Sequence, residues 1–411
     1  MHAAPRRATD RAWVEVDLSA LARNARVMAE HVGGPGRLLP MVKADAYGLG
    51  AVPIAELLQE LGVWALGVAT VEEGARLRRA GIHGRIVVFT PCAPIDARRL
   101  RAEGLQPAVT SLAALETYAA AGSSAEALAI HLEVDTGMGR FGLPAAEAGR
   151  WAPRIATALG SGAVRLVSTF THFHSAETDR AATREQWERF LGAVEAMRSA
   201  GVEPGLLHAA NSGGVIRHPE THADVVRPGL FLFGGMAAGG ERDGDGVSRP
   251  ESVVSVRARV LDVRAVGAGT TVSYGGTYTT SRPSRLATLG IGYADGMPHA
   301  LSNAGHALLH GRRAPILGAV CMDMTVVDVT ELEEVPVGTV ATLLGRDAGE
   351  EIRLGEVARQ SRTIPYEILT GFSSRLPRVL LSGPDGGRTK PGRVEAMGGG
   401  APVQAGEPRG T

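Results

Sequence analysis

LAIHLEVD (128–135) and VRLVSTFTH (164–172) are short, apolar, strand-like runs in a region where such runs alternate with amphipathic helix-like sequence. Toward the N-terminus the same kind of run recurs at 37–43 (RLLPMVK), 64–69 (WALGVA), 85–90 (RIVVFT) and 105–109 (LQPAV). Toward the C-terminus it recurs at 205–211 (GLLHAAN) and 223–227 (ADVVR). Strands alternating with helices such as 111–121 and 178–200 imply an α/β fold with a parallel sheet. Eight units in about 200 residues suit a closed (β/α)8 TIM-type barrel, with a doubly wound open sheet as the competing arrangement. Asp17 is placed to cap the first helix, which carries Leu18, Leu21, Ala22 and Ala25 on one face. Trp187, Phe190, Leu191, Val194 and Met197 follow helical spacing and read as core.

After 239–249 (GGERDGDGVSR), a Gly- and Asp-rich stretch that reads as a linker or exposed loop, the pattern changes. The segments 252–266, 285–291, 312–317, 319–329 and 338–344 are β-branched runs separated by turn residues, which describes a second, mostly-β domain. The expected division is a barrel over 12–240, a β domain over 250–381, and a Gly- and Pro-rich tail over 383–411 that reads as disordered.

The chain has 411 residues, with 43 Lys plus Arg against 43 Asp plus Glu. That balance gives no reason to expect nucleic acid or an anionic membrane as partner. Cys92 and Cys321 are its two cysteines, too few for a disulfide framework, so a reducing cytoplasm is the expected compartment. Residues 1–11 carry arginines but no apolar segment behind them, unlike a secretory signal. No apolar run approaches the roughly 20 residues that span a bilayer.

In a barrel of this kind, functional groups gather at the C-terminal ends of strands. Here those ends hold Lys43, His172, Asn211 with Ser212, and Arg227. Any one alone reads as a solvated polar residue; several different groups on one rim are harder to set aside. A lysine amine in a partly apolar pocket loses its proton more easily and can form a Schiff base with an aldehyde. Tyr47, four residues on, can bring a hydroxyl to a phosphate, and Ser212-Gly213-Gly214 opens a short helix whose N–H groups can approach one. The Gly137–Gly142 segment matches G-x-G-x-x-G, but 151–170 contains no Asp or Glu, so the dinucleotide reading fails. His172 and His174 lack a clear third ligand and read as non-metal residues, and no metal is expected. Cys321, inside a β-rich run, reads as a small buried hydrophobe.

These motifs, in this order from about Trp13 to Arg378, resemble the alanine racemase family, pyridoxal-phosphate (PLP) enzymes of fold type III. MVKADAYGLG (41–50) resembles the cofactor-lysine motif, which implies Lys43 as the Schiff-base residue and Tyr47 as a phosphate ligand. VDTGMGRFG (134–142) implies Arg140 at the substrate carboxylate, and THF (171–173) implies His172 packed on the pyridine ring. HAANSG (208–213) implies Ser212 at the phosphate. VRPGLFLFG (226–234) implies Arg227 at the pyridine nitrogen, with Gly229 and Leu230 near the phosphate. In the β domain, VSYGGTY (272–278) resembles the motif of the second base, Tyr274. IGYADG (291–296) implies Tyr293 near the substrate, and CMD (321–323) implies the Met322 N–H at its carboxylate. IPYEILTGFSSRLPR (364–378) implies Tyr366 at the phosphate. Asp45, Leu49 and Phe233 stand where the family often has Asn, His and Tyr. Glu133 stands where many members carry a carbamylated lysine, which implies a carboxylate holding Arg140 by charge-assisted hydrogen bonds.

The resemblance implies interconversion of L- and D-alanine by two bases, with Lys43 serving the D-isomer proton and Tyr274 the L-isomer proton. It also implies a head-to-tail homodimer in which Tyr274 and Met322 come from the partner chain, and a role in supplying D-alanine for cell-wall precursors. The alternatives are a racemase of broader or serine specificity, a fold-III decarboxylase, and a non-catalytic PLP-carrier barrel. The decarboxylases usually set a carboxylate at the pyridine nitrogen, which Arg227 opposes. The carriers have a barrel alone, which residues 250–380 oppose.

Overall fold

The computed structural model describes residues 10–92, 96–120, 126–237 and 248–382. Most of the 239–249 linker and the tail from residue 383 lie outside the described residues. Six parallel strands follow one another in chain order around the first unit: Ala65–Val68, Arg85–Val88, Leu105–Val109, Leu128–Asp135, Val164–Phe170 and Leu206–His208. The two remaining runs are too irregular to form full ladders, yet they close the circle. Leu38 bridges Val226, and Met41 bridges Gly67, both in parallel. The Arg227 amide donates to the Ala210 carbonyl at 2.8 Å, joining the eighth run to the seventh. Leu39, Ala65, Val87 and Val225 meet as a buried cluster drawn from four of these runs. Their apolar side chains are what hold a closed parallel sheet together.

The helices form the outer layer. Asp17 caps Leu18–Val32 by accepting the Ala20 amide at 2.9 Å, and Asp179 caps Arg180–Ser199 in the same way. In the latter helix Phe190, Val194 and Met197 are buried, but Leu191 is 42% exposed. It is not the core residue its spacing suggested, because it lies at the edge of the apolar stripe.

The second unit is a mostly antiparallel sheet around the long strand Val254–Val266, which pairs with Ser284–Leu289 and Val340–Asp347. One strand comes from an unexpected place. Ala12–Asp17, assigned by sequence to the barrel, pairs with Val254–Val266 and lies parallel to Arg378–Leu381. The two ends of the described chain therefore meet in the β domain, and the barrel proper begins with the helix after Asp17. No helix among the described residues is long and apolar enough to cross a membrane.

Candidate active site

Past Lys43 the chain makes a turn of the opposite hand. Ala44, Asp45, Ala46 and Tyr47 all have positive φ, from 52° to 58°. An L-residue held left-handed costs about 1–2 kcal/mol, so four in succession need external support. The Glu73 carboxylate accepts the Ala44 amide at 2.8 Å. Asp45 accepts the Ala51 amide at 2.9 Å and pairs with Arg76 at 2.9 Å. Arg378, from the β domain, donates to the Gly48 carbonyl at 3.0 Å. The turn directs Tyr47 inward, 4.6 Å from the Phe233 ring and 5.9 Å from the Tyr366 ring. Burial, and then the positive charges of Arg140 and Arg227, push the Lys43 amine below the ordinary lysine range despite the opposing pull of Glu73.

A second corner is built from short, small residues. Ser212 starts the helix Ser212–Arg217, which Asn211 caps by accepting the Gly214 amide at 2.9 Å. The Ser212 hydroxyl accepts the Gly229 amide at 2.9 Å, tying this helix to the end of the eighth run. A Cβ on Gly229 would lie 2.4 Å from the Tyr47 hydroxyl, so a larger residue there has to displace that phenol. Ser212, Leu230 and Tyr366 line one cavity. Among the described residues, no protein group bonds to the Tyr47 or Tyr366 hydroxyl. Both stay protonated as donors: burial and Glu177 push Tyr366 up to about 12, and burial and Tyr366 push Tyr47 up.

Arg227 is 4% exposed, and its guanidinium is almost wholly engaged. Nη1 donates to Nδ1 of His208 at 2.7 Å and to its carbonyl at 3.0 Å. Nη2 reaches the carbonyls of Thr171 at 2.7 Å and Ala209 at 3.0 Å, and Nδ1 of His172 at 3.3 Å. The Nε–H is the guanidinium donor with no protein partner among the described residues. Burial, then Arg227, Arg140 and Lys43, hold the His172 imidazole neutral.

Glu133 is 5% exposed, so it is not a solvated strand-end residue. It also does not hold Arg140 by direct contact: no hydrogen bond or ion pair joins them among the described residues. Arg140 lies on an exposed glycine turn, where Asp135 accepts the Gly137 and Gly139 amides. The Glu133 charge acts through space, on Arg227 more than on Arg140, and burial raises its carboxyl above the usual range.

The β-domain candidates form a separate group. Tyr274 is 77%, Met322 52% and Tyr293 44% exposed. Their loops are linked: the Ser273 hydroxyl is 3.2 Å from the Cys321 sulfur, and the Tyr293 amide donates to the Cys321 carbonyl at 3.0 Å. Cys321 is accordingly half-buried at a loop junction. No hydrogen bond, ion pair or ring contact among the described residues joins Tyr274, Tyr293 or Met322 to Lys43, Arg140 or Arg227. Sequence reading missed Glu73, whose importance depends on a turn that no glycine announces, and the polar residues beneath Arg227.

Residues 16–237 match the family model "Alanine racemase, N-terminal domain", and residues 253–380 match "Alanine racemase, C-terminal domain". An alanine racemase of Symbiobacterium thermophilum is 42% identical over 371 residues, covering 89% of this chain and 96% of the relative. One of Halothermothrix orenii is 37% identical, covering 91% and 97%. Among solved structures, alanine racemase from Streptomyces lavendulae superposes with a TM-score of 0.83 at 33% identity, covering 91% of this chain and 98% of that one. Alanine racemase from Bartonella henselae, solved with covalently bound pyridoxal phosphate, superposes with a TM-score of 0.80 at 29% identity, covering 90% and 100%. With both domains matched in order and relatives covered almost end to end, this chain belongs to the alanine racemase family.

Proposed function

We propose that this protein interconverts L-alanine and D-alanine, with pyridoxal phosphate attached at Lys43. The residues at the barrel mouth fit that group. Lys43 offers an amine with a lowered pKa. Tyr47, Tyr366 and Ser212 gather hydroxyls for a phosphate. His172 is a neutral imidazole suited to pack on a flat ring. The observation that carries the reading is Arg227, a buried guanidinium with one uncommitted donor, which suits the nitrogen of a pyridine. The same cation opposes the decarboxylase alternative, and the β domain opposes a carrier role.

Bound pyridoxal phosphate supplies an electron sink that acidifies the Cα–H of an attached amino acid. Arg227 keeps its charge at all working pH values and so disfavours protonation of the neighbouring ring nitrogen. Racemisation needs a proton removed on one face and returned on the other. The Lys43 Nζ serves one face and the Tyr274 Oη the other. Arg140 and the Met322 amide hold the substrate carboxylate, Tyr293 lies beside them, and Glu133 balances the charge of Arg227 and Arg140.

Tyr274, Tyr293 and Met322 are exposed on β-domain loops that are hydrogen-bonded to one another, which supports a homodimer in which they complete the partner's barrel mouth. The free cysteines Cys92 and Cys321 support a cytoplasmic setting. Alanine as substrate is supported by the names of the relatives. The test is D-alanine formation from L-alanine, with L-serine and L-lysine in parallel. Faster turnover of serine or lysine would move the substrate assignment, and carbon dioxide release without D-amino acid would replace it.

A further inference from the structure

Beneath Arg227 a line of buried polar side chains crosses the barrel. It runs over neighbouring strands, from His208 on Leu206–His208 to Ser168 on Val164–Phe170, His131 on Leu128–Asp135 and Gln106 on Leu105–Val109. His208 Nε2 is 2.8 Å from the Ser168 hydroxyl, which is 2.6 Å from His131 Nδ1; His131 Nε2 is 3.0 Å from Gln106 Oε1. His131, Ser168 and His208 are 0% exposed, and Gln106 is half-buried. Phe170 stacks on His208 with centroids 4.9 Å apart, and Trp64 meets His131 edge-on at 6.1 Å.

The hydrogens in this line have one consistent order. A guanidinium donates and cannot accept, so the Arg227 bond requires a bare Nδ1 on His208. A neutral His208 then carries its hydrogen on Nε2 and donates it to Ser168. The one hydrogen of that hydroxyl goes to His131 Nδ1. His131 must then carry its own hydrogen on Nε2, and Gln106 Oε1 accepts it. Neutrality of both rings follows from their surroundings: burial, with Arg165 and Arg85, pushes His131 down to about 3, and burial, with Arg227, pushes His208 well below its usual value. The reverse order would place a hydrogen on His208 Nδ1 against the Arg227 N–H and push the guanidinium away.

We propose that Gln106, His131 and Ser168 are positioning residues for Arg227: from four hydrogen bonds away, Gln106 helps select the His208 tautomer that the guanidinium needs. The proposal rests on the reading of Arg227 as the partner of the cofactor ring. Its cost is a buried polar line in a barrel core, where every member has to be satisfied.

The test uses the cofactor-bound enzyme labelled with 15N-histidine. Long-range 1H–15N spectra should show His131 and His208 both neutral and both protonated on Nε2, from about pH 6 to about pH 9. Ser168→Ala and Gln106→Leu should each weaken cofactor binding and lower kcat/KM roughly five- to tenfold, the scale of one buried hydrogen bond. Gln106→Leu should also give His131 a second tautomer. A wild-type His208 that is cationic or protonated on Nδ1 overturns the proposal, and this readout needs no variant to fold. Wild-type kinetics and cofactor affinity in both variants overturn it too. The tautomer is observed in the protein itself, independently of turnover. Absence of racemase activity would therefore refute the functional reading alone, and a wrong His208 tautomer would refute this proposal alone.

Discussion

The Glu73 carboxylate accepts the Ala44 amide at 2.8 Å, so the helix Val71–Arg79 supports the left-handed turn that follows Lys43. Its other oxygen accepts the Ala69 amide at 2.7 Å. Glu73→Ala should therefore lose about 1.5–3 kcal/mol, the scale of a charged hydrogen bond. The turn would loosen, and the long-wavelength absorption of lysine-bound cofactor should fall. Thermal denaturation and the absorption spectrum check both effects. Unchanged stability and an unchanged spectrum would mean that the turn holds itself.

Gly229 and Tyr47 make a tighter prediction. A methyl at 229 would lie 2.4 Å from the Tyr47 hydroxyl, so Gly229→Ala should displace that phenol. Cofactor dissociation should rise at least tenfold, about 1.4 kcal/mol, in a protein that still folds. Adding Tyr47→Phe removes the clash, whose next atom is at 3.4 Å. Packing should then recover, and the phosphate donor should not. Cofactor titration by fluorescence, set beside melting curves, separates the two effects.

Glu133 supplies a pH test. Burial raises its folded-state pKa above 4.5. Between the unfolded and folded values the folded chain binds more protons, so stability falls as pH rises through that window. The contribution is fully present below pH 4.5 and is lost above the folded pKa. Glu133→Gln should therefore melt above wild type at pH 8 by about 1–3 °C, with the two curves converging in acid. Its kcat/KM for alanine should drop, because Arg227 and Arg140 lose a countercharge, while cofactor binding holds. Wild-type kinetics in both directions would show that this charge has no part in catalysis.

Much of the barrel was legible because its apolar runs are local and periodic. Asp17 could be read as a cap for the same reason, since the bond it makes spans three residues. What escaped reading depends on distant partners. Ala12–Asp17 pairs with residues more than 200 positions away, and nothing within the strand says so. Ala44 to Tyr47 have no glycine to betray positive φ, and their conformation is held by Glu73, Arg76 and Arg378. His131 and Ser168 look like interruptions in apolar runs until the neighbouring strands bring them together. The expected hold of Glu133 on Arg140 failed as a contact because the intervening glycines carry Arg140 out to the surface, leaving Glu133 closer in effect to Arg227.

The proposed pair of bases on opposite faces, one from each chain, makes a demand that a mixed dimer can test. Lys43→Ala and Tyr274→Phe should each lower racemisation by about 10²–10⁴-fold as homodimers, the worth of one acid–base group. Co-expressed with different tags and purified as the heterodimer, the two variants place both lesions in one site and leave the other site whole. That heterodimer should recover about half the wild-type rate of D-alanine formation, one intact site in two. A heterodimer as inactive as its parents would contradict a site shared between Lys43 of one chain and Tyr274 of the other.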